Sequence, residues 1–361
     1  MEAQTLVSNS TLLTEDAIEL LKQLIATPSF SKEENKTAEI IFDFLQSKTI
    51  KANKHLNNVW ASNLYFDECK PTLLLNSHHD TVKPNKGYTV NPFDPIESDG
   101  KLYGLGSNDA GGCLVSLLAT FLHFYNKKNL KYNLVVAASA EEEISGTNGI
   151  EALLPHLGKI DFGIVGEPTQ MHMAIAEKGL LVLDCINHGK AGHAARNEGD
   201  NALYHALQDI SWFKNYTFDK VSEVLGPVKI TVTSIETENK AHNVVPASCK
   251  FVVDIRVNEL YTFEEILSII KQNVKCEIAP RSLRMRSSSI SLNHPLVIGG
   301  IELNRNYYGS PTTSDKALMP FPTLKIGPGD SARSHTADEF IYLNEIAEGI
   351  ELYIKLLEKI I

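Results

Sequence analysis

The sequence predicts an α/β domain, a sheet covered by helices on both faces, into which a smaller α+β block is inserted. Three observations predict it. The apolar runs 72–75 and 133–138 read as buried strands, each ending where unusual polar residues begin, and residues 112–125 between them read as a helix. After about residue 175 the pattern changes to period-two alternation in 180–186, 228–233 and 249–257, with helix-like segments 201–212 and 262–274 among them. From Ser287 the loops and buried runs resume. The expected division is therefore 1–175 and 285–361 for one domain, with 176–284 inserted between them.

The first helix is expected over residues 14–25, with apolar positions Ala17, Ile18, Leu21, Leu24 and Ile25, Thr14 as N-cap, and Glu15 and Asp16 in the first turn. Pro28 closes it. A second helix pattern covers 35–46, and an amphipathic one ends the chain at 342–360. The apolar stripe of that last helix (Ile346, Ile350, Tyr353, Leu356, Leu357, Ile360) reads as core packing rather than a partner surface. No internal repeat or low-complexity linker is visible.

Composition narrows the function. Of 361 residues, 43% are hydrophobic and 22% charged, an ordinary globular balance. A net charge of −10 argues against a nucleic-acid or anionic-membrane partner. The start, Met1-Glu2-Ala3-Gln4, has neither a basic region nor an apolar core, so no secretory signal is expected. No stretch approaches the roughly 18 apolar residues of a membrane span. Cys69, Cys113, Cys185, Cys249 and Cys276 are scattered, and no two form a Cys-x-x-Cys pair. They are expected to be small buried residues in a reducing cytoplasm.

Five separated clusters have metal-ligand character. Ser77-His78-His79-Asp80 follows the first buried run. In an extended segment His78 and Asp80 share a face, and a ligating imidazole commonly donates its other N–H to a carboxylate. Gly104-Leu105-Gly106-Ser107-Asn108-Asp109 invites a dinucleotide reading, but the sixth position is Asp109, whose charge would oppose a pyrophosphate. Ala140-Glu141-Glu142-Glu143 would be a solvated acidic turn unless a cation holds one carboxylate and leaves another as proton acceptor. Glu167 is restricted to extended geometry by Pro168. His335 follows a glycine loop, Gly327-Pro328-Gly329-Asp330. Together His78, Asp109, Glu143, Glu167 and His335 match the ligand inventory of two zinc ions about 3.5–4 Å apart.

In this order (His-x-Asp, Gly-x-Gly-x-x-Asp, Glu-Glu, Gly-Glu-Pro-Thr and a late His) the chain resembles the dizinc aminoacylase and carboxypeptidase-G2-like metallohydrolases, over nearly its whole length to Asp338-Glu339. The resemblance implies a zinc-exopeptidase-like mixed sheet and two divalent metals, zinc first, with cobalt or manganese also compatible. It implies that His78 and Glu167 bind one ion, that His335 and Glu143 bind the other, and that Asp109 bridges them. Asp80 would orient His78, and Glu142 would be the general base. The Asp109–Ala110 bond falls where the family has a cis peptide.

The inserted block resembles the family's lid and dimerisation domain, so a homodimer is implied. Gly189-Lys190-Ala191-Gly192-His193 matches its Gly-Lys-x-x-His motif, and His193 would stabilise the oxyanion in a partner's site. Asn243-Val244-Val245-Pro246 and Asp254-Ile255-Arg256 match further lid motifs. Asn243 and Arg256 are then substrate-binding candidates, the arginine for a carboxylate. Two departures stand out: Ala194-Ala195-Arg196-Asn197 replaces Ser-Ser followed by Pro, and Glu141 replaces the usual Asp.

The expected activity is removal of an N-acyl group from an amino acid. Ala176-Glu177-Lys178-Gly179 looks most like acetylornithine deacetylases of arginine biosynthesis. N-succinyl ornithine, citrulline or diaminopimelate are alternative substrates, as are di- and tripeptides. A non-catalytic metal-bound binding module is the alternative from another class.

Overall fold

In a computed structural model describing residues 2–361, with side chains from residue 11 onward, the chain forms two compact units. The first comprises Met1–Ile175, Ile290–Tyr308 and Ser314–Ile361, and the second Ala176–Ser289 with Gly309–Thr313.

In the first unit a mixed sheet runs in the order Ala52–His55, Asn58–Ser62, Asn133–Ser139, Thr72–His78, Phe162–Val165, Thr323–Lys325, Met173–Glu177. The central pairings of Thr72–His78 with Asn133–Ser139 and with Phe162–Val165, and of Phe162–Val165 with Thr323–Lys325, are parallel. The flanking pairings are antiparallel. Thr72–His78 and Asn133–Ser139 are buried at every position, which explains their continuous apolar character.

Helices Glu2–Ile25, Gly112–Phe124 and Leu343–Glu358 pack on one another, and Gly112–Phe124 lies against the central strands. The apolar stripe of the last helix is core: Ile346, Ile350, Tyr353 and Leu357 are fully buried. A second cluster, with Leu74, Val135, Ala137, Ile150, Leu153 and Met319, closes over part of the sheet.

The first helix begins upstream of the expected cap. Thr14 is interior to Glu2–Ile25, because the buried stripe continues back through Leu13, one turn before Ala17. Cys69 also departs from expectation: it is exposed, in a surface turn, while the other four cysteines are buried.

The second unit is an antiparallel sheet, Lys229–Thr237, Ser248–Val257, Gly179–His188, Glu277–Pro280, with helices Ala202–Asn215 and Phe263–Asn273. Alternate residues of the strands (Leu181, Leu183, Cys185; Phe251, Val253, Ile255) meet Ala206, Phe213, Phe263, Ile266 and Ile270 of the helices in one core. The unit extends beyond residue 284 because Ser288–Ser289 pairs with Ala176 and Glu177. Lys178 draws in Gly309–Thr313: its N–H donates to Ser310 O at 3.1 Å, and its carbonyl accepts from Thr313 Oγ1 at 2.8 Å.

Thr262 caps the second helix of this unit in a reciprocal box with Glu265. Thr262→Ala is expected to destabilise the second unit by about 1 kcal/mol, read as a lower denaturant midpoint in a fluorescence melt. An unchanged midpoint would mean the box contributes nothing.

Candidate metal centre

Parallel strands end on the same edge of a sheet, and that edge is where the proposed ligands gather. His78 is the last residue of Thr72–His78 and lies opposite Ser139, the last of Asn133–Ser139. Glu142 and Glu143 follow Ser139 in a short 3-10 turn. Glu167 follows Phe162–Val165 by two residues. Thr323–Lys325 leads into the loop before His335. Asp109 comes from the kinked turn Ser107–Gly111 that opens the Gly112–Phe124 helix, and its peptide to Ala110 is cis.

The two carboxylate oxygens of Asp109 face different partners. Oδ1 is 3.4 Å from His78 Nε2 and Oδ2 is 3.6 Å from His335 Nε2. Glu167 Oε1 lies 3.9 Å from His78 Nε2, and Glu143 Oε2 lies 3.0 Å from His335 Nε2. Two triads result, His78–Asp109–Glu167 and Asp109–Glu143–His335, each with its ligand atoms within 4.8 Å of one another. Ligand atoms about 2.1 Å from a shared tetrahedral zinc lie about 3.4 Å apart, so the donor types and spacing fit two divalent cations sharing Asp109. The triads differ in access: the His78 side chain is 1% exposed and that of His335 55%. Glu142 belongs to neither, but its Oε2 is 3.9 Å from His78 Nε2.

The adjacent histidines are distinguished by their partners. His79 is tied through Nδ1 to Thr37 Oγ1 at 2.9 Å and through Nε2 to Asn57 O at 2.9 Å. Burial holds its pKa down at about 4, so it is a neutral structural imidazole. His78 Nδ1 is 3.0 Å from the carbonyl oxygen of Asp80 and 3.5 Å from its carboxylate. The carboxylate of Asp80 accepts the N–H groups of Glu142 at 3.0 Å and Glu143 at 3.2 Å, and the hydroxyl of Ser31 at 2.6 Å. Asp80 therefore fixes the acidic turn as well as lying beside His78.

The electrostatics are those of crowded anions. Burial works against a charged His78, but Glu142, Asp109, Asp80 and Glu167 outweigh it and hold its pKa well above the ordinary imidazole value. Burial pushes the Glu142 carboxyl well up; His78 opposes this, and the charges of Glu167, Asp315 and Glu143 add to it. The hydrogen bond to Glu143 raises His335 to about 9. So dense a set of carboxylates around two imidazoles demands positive charge, which divalent cations supply directly.

The remaining candidates lie in the second unit. His193 is exposed, in a short strand paired with Val244–Val245, and its Nδ1 accepts the Ala195 N–H at 3.1 Å. The carbonyl of Asn243 accepts the Ala194 N–H at 2.9 Å. Arg256 forms a fork with Asp254, two residues away on the same strand face, at 2.8 and 3.0 Å.

Sequence reasoning missed Asp315. It is buried, and its Oδ2 accepts Asn76 Nδ2 at 2.9 Å and Ser139 Oγ at 2.6 Å, linking the two strands that end at the site. Its only signal is a charged residue within the polar run Thr312-Thr313-Ser314-Asp315, in a region that otherwise reads as loop.

The model of the family described as Peptidase family M20/M25/M40 matches residues 74–359. The succinyl-diaminopimelate desuccinylase of Wolbachia pipientis subsp. Culex pipiens (strain wPip) is 27% identical over 367 residues, covering 94% of this chain and 92% of that protein. The aminopeptidase PepT from Bacillus cereus ATCC 10987 has a TM-score of 0.79 at 16% identity, covering 96% of this chain and 98% of its own. The Bacillus subtilis protein YXEP, described as a dinuclear metal binding peptidase from the M20 family, has a TM-score of 0.70 at 13% identity, with coverage of 96% and 98%. At such identities the structural likeness establishes the fold.

Two outcomes follow from the geometry. His335, raised to about 9, is protonated at pH 7 and must lose that proton to ligate. Metal loading at pH 7 is therefore expected to release protons, and apparent affinity to climb as pH approaches 9. Calorimetry in buffers of different ionisation enthalpy measures the release; none at pH 7 would contradict the assignment. A Cβ at position 327 would lie 2.5 Å from Glu167 O and 2.7 Å from Cys113 Sγ. Gly327→Ala should displace Glu167 and weaken metal binding by about tenfold or more in a metal titration, the scale of lost support around a ligand.

Proposed function

The chain belongs to peptidase family M20/M25/M40 and is a metal-dependent amide hydrolase with a dinuclear cofactor; within that family we propose that it removes a succinyl group from the nitrogen of an amino acid, with N-succinyl-diaminopimelate as the first substrate to test. The observation behind the chemistry is the division of Asp109 between two triads with Glu142 beside them. The choice of acyl group is supported by curated relatives that cover nearly the full chain and are desuccinylases. N-acetylornithine is the second reading, favoured by Ala176-Glu177-Lys178-Gly179; no relative quoted above carries that name.

His78, Asp109 and Glu167 would hold one cation, and Asp109, Glu143 and His335 the other. Bound there, the cations would lower the pKa of an attacking water and offset charge developing on the amide oxygen. Glu142 takes the proton from that water as it attacks the carbonyl carbon, then gives it to the leaving nitrogen as the C–N bond breaks. Glu142 lies beside both triads and belongs to neither ligand set, which leaves its carboxylate available for that transfer. We assign His193 to oxyanion stabilisation from a partner subunit in a homodimer, and Asn243 to substrate binding. Arg256 is assigned to a substrate carboxylate, with its Nε and Nη2 edge already on Asp254.

Amine release from N-succinyl and N-acetyl forms of diaminopimelate, ornithine, citrulline and lysine, alongside Gly-Gly and Ala-Ala, tests the reading with zinc and with cobalt. Turnover of the dipeptides alone would exclude a deacylase, and a tenfold preference for acetyl would replace the succinyl choice. Glu142→Gln should keep its metal content and lose roughly 10²–10⁴-fold in kcat; near-normal turnover would remove Glu142 from the mechanism.

A further inference from the structure

Glu339 has no part in the chemistry above, yet it is 2% exposed and aims its whole carboxylate at the turn carrying Asp109. Oε2 accepts the N–H of Gly106 at 3.1 Å. Oε1 accepts the N–H groups of Asn108 and Asp109, each at 2.9 Å. The backbone carbonyl of Glu339 accepts the Gly104 N–H at 2.9 Å. The turn has use for such a partner. Asp109 (φ −119°, ψ 96°) and Ala110 (φ −120°, ψ 32°) are non-helical, so regular helical bonding does not satisfy the turn's N–H groups. Removing the carboxylate would leave three buried donors without their acceptor.

Glu339 also sits four residues after His335, on a segment held at two points. Asn85 Nδ2 donates to His335 O at 3.1 Å. The Asp338 carboxylate accepts from Thr89 N at 2.8 Å, Thr89 Oγ1 at 2.6 Å and Val90 N at 3.3 Å. One short segment thus presents His335 to its triad and grips the backbone of the residue both triads share.

We propose that Glu339 is a positioning residue that sets the more exposed metal position, Asp109–Glu143–His335, by locking the Asp109 turn against the His335 segment. The inference rests on Asp109 serving two cations. The other position has independent support, since His78 ends a central strand and Glu167 is held between that sheet edge and Pro168. Losing Glu339 should therefore cost the second ion more than the first.

The test is titration of the full metal-free chain with cobalt(II), followed by calorimetry and by the visible absorption of the bound ion, for wild type, Glu339→Ala and Glu339→Gln. Wild type should take two ions. Glu339→Ala should keep the first and bind the second ten- to a hundredfold more weakly, the usual range for a lost outer partner. Glu339→Gln keeps the size and one acceptor oxygen and should fall between them, and it decides the matter if the alanine variant does not fold. Fewer than two ions in wild type would overturn both this inference and the shared-Asp109 reading. Two ions in wild type with both affinities unchanged in the variants would overturn this inference alone. So would equal weakening of both affinities in variants whose circular dichroism matches wild type.

Discussion

Like charges forced together out of water are the constraint on which the first unit is built. Asp80, Asp109, Glu142, Glu143 and Glu167 crowd around His78 and His335, and left to themselves they would move apart or take up protons. Their pKa values register the conflict: Glu142 and Glu143 are pushed up by burial, while Asp80 and Asp109 stay low because His78 faces them. Such a cluster persists only where the backbone beneath each carboxylate is held independently of it.

The sheet does most of that holding. Parallel pairing brings the ends of Thr72–His78, Asn133–Ser139 and Phe162–Val165 into register, so His78, the Glu142–Glu143 turn and Glu167 emerge from one rigid edge. Buried polar residues finish the work. Asp80 takes the N–H groups of the acidic turn, Asp315 ties Asn76 to Ser139, and Glu339 takes those of the Asp109 turn. Close packing adds to them: a Cβ at Gly166 would stand 2.8 Å from Leu117 Cδ1, so the Glu167 loop lies directly on the Gly112–Phe124 helix. Asp80 and Glu339 are needed because the irregular turns they face leave N–H groups without a regular partner.

The second unit depends on none of this. Its core is the ordinary seam between an antiparallel sheet and two helices, and its period-two strands are legible because only one face of each is covered. Its polar candidates are a different matter. His193 and Asn243 sit on short, exposed backbone, and Arg256 is engaged by Asp254, so local packing assigns none of them a ligand.

The sequence by itself determined the two-unit plan and the chemical types at the site. Buried strands announce themselves by continuous apolar runs, and His78, Asp109, Glu143, Glu167 and His335 stand out because each follows an apolar run or a glycine turn. It could not place Thr14 inside a helix rather than at its start, since Thr14 with Glu15 and Asp16 reads as a cap and only the fold shows Leu13 before it buried within the helix Glu2–Ile25. Nor could it show what ties down His79, or reveal what Asp315 and Glu339 hold. Those depend on partners 22 to 239 residues away. Only the tertiary structure decided that one oxygen of Asp109 faces His78 and the other His335, because a side chain's direction is set by the packing of strands that the sequence separates and the sheet brings together.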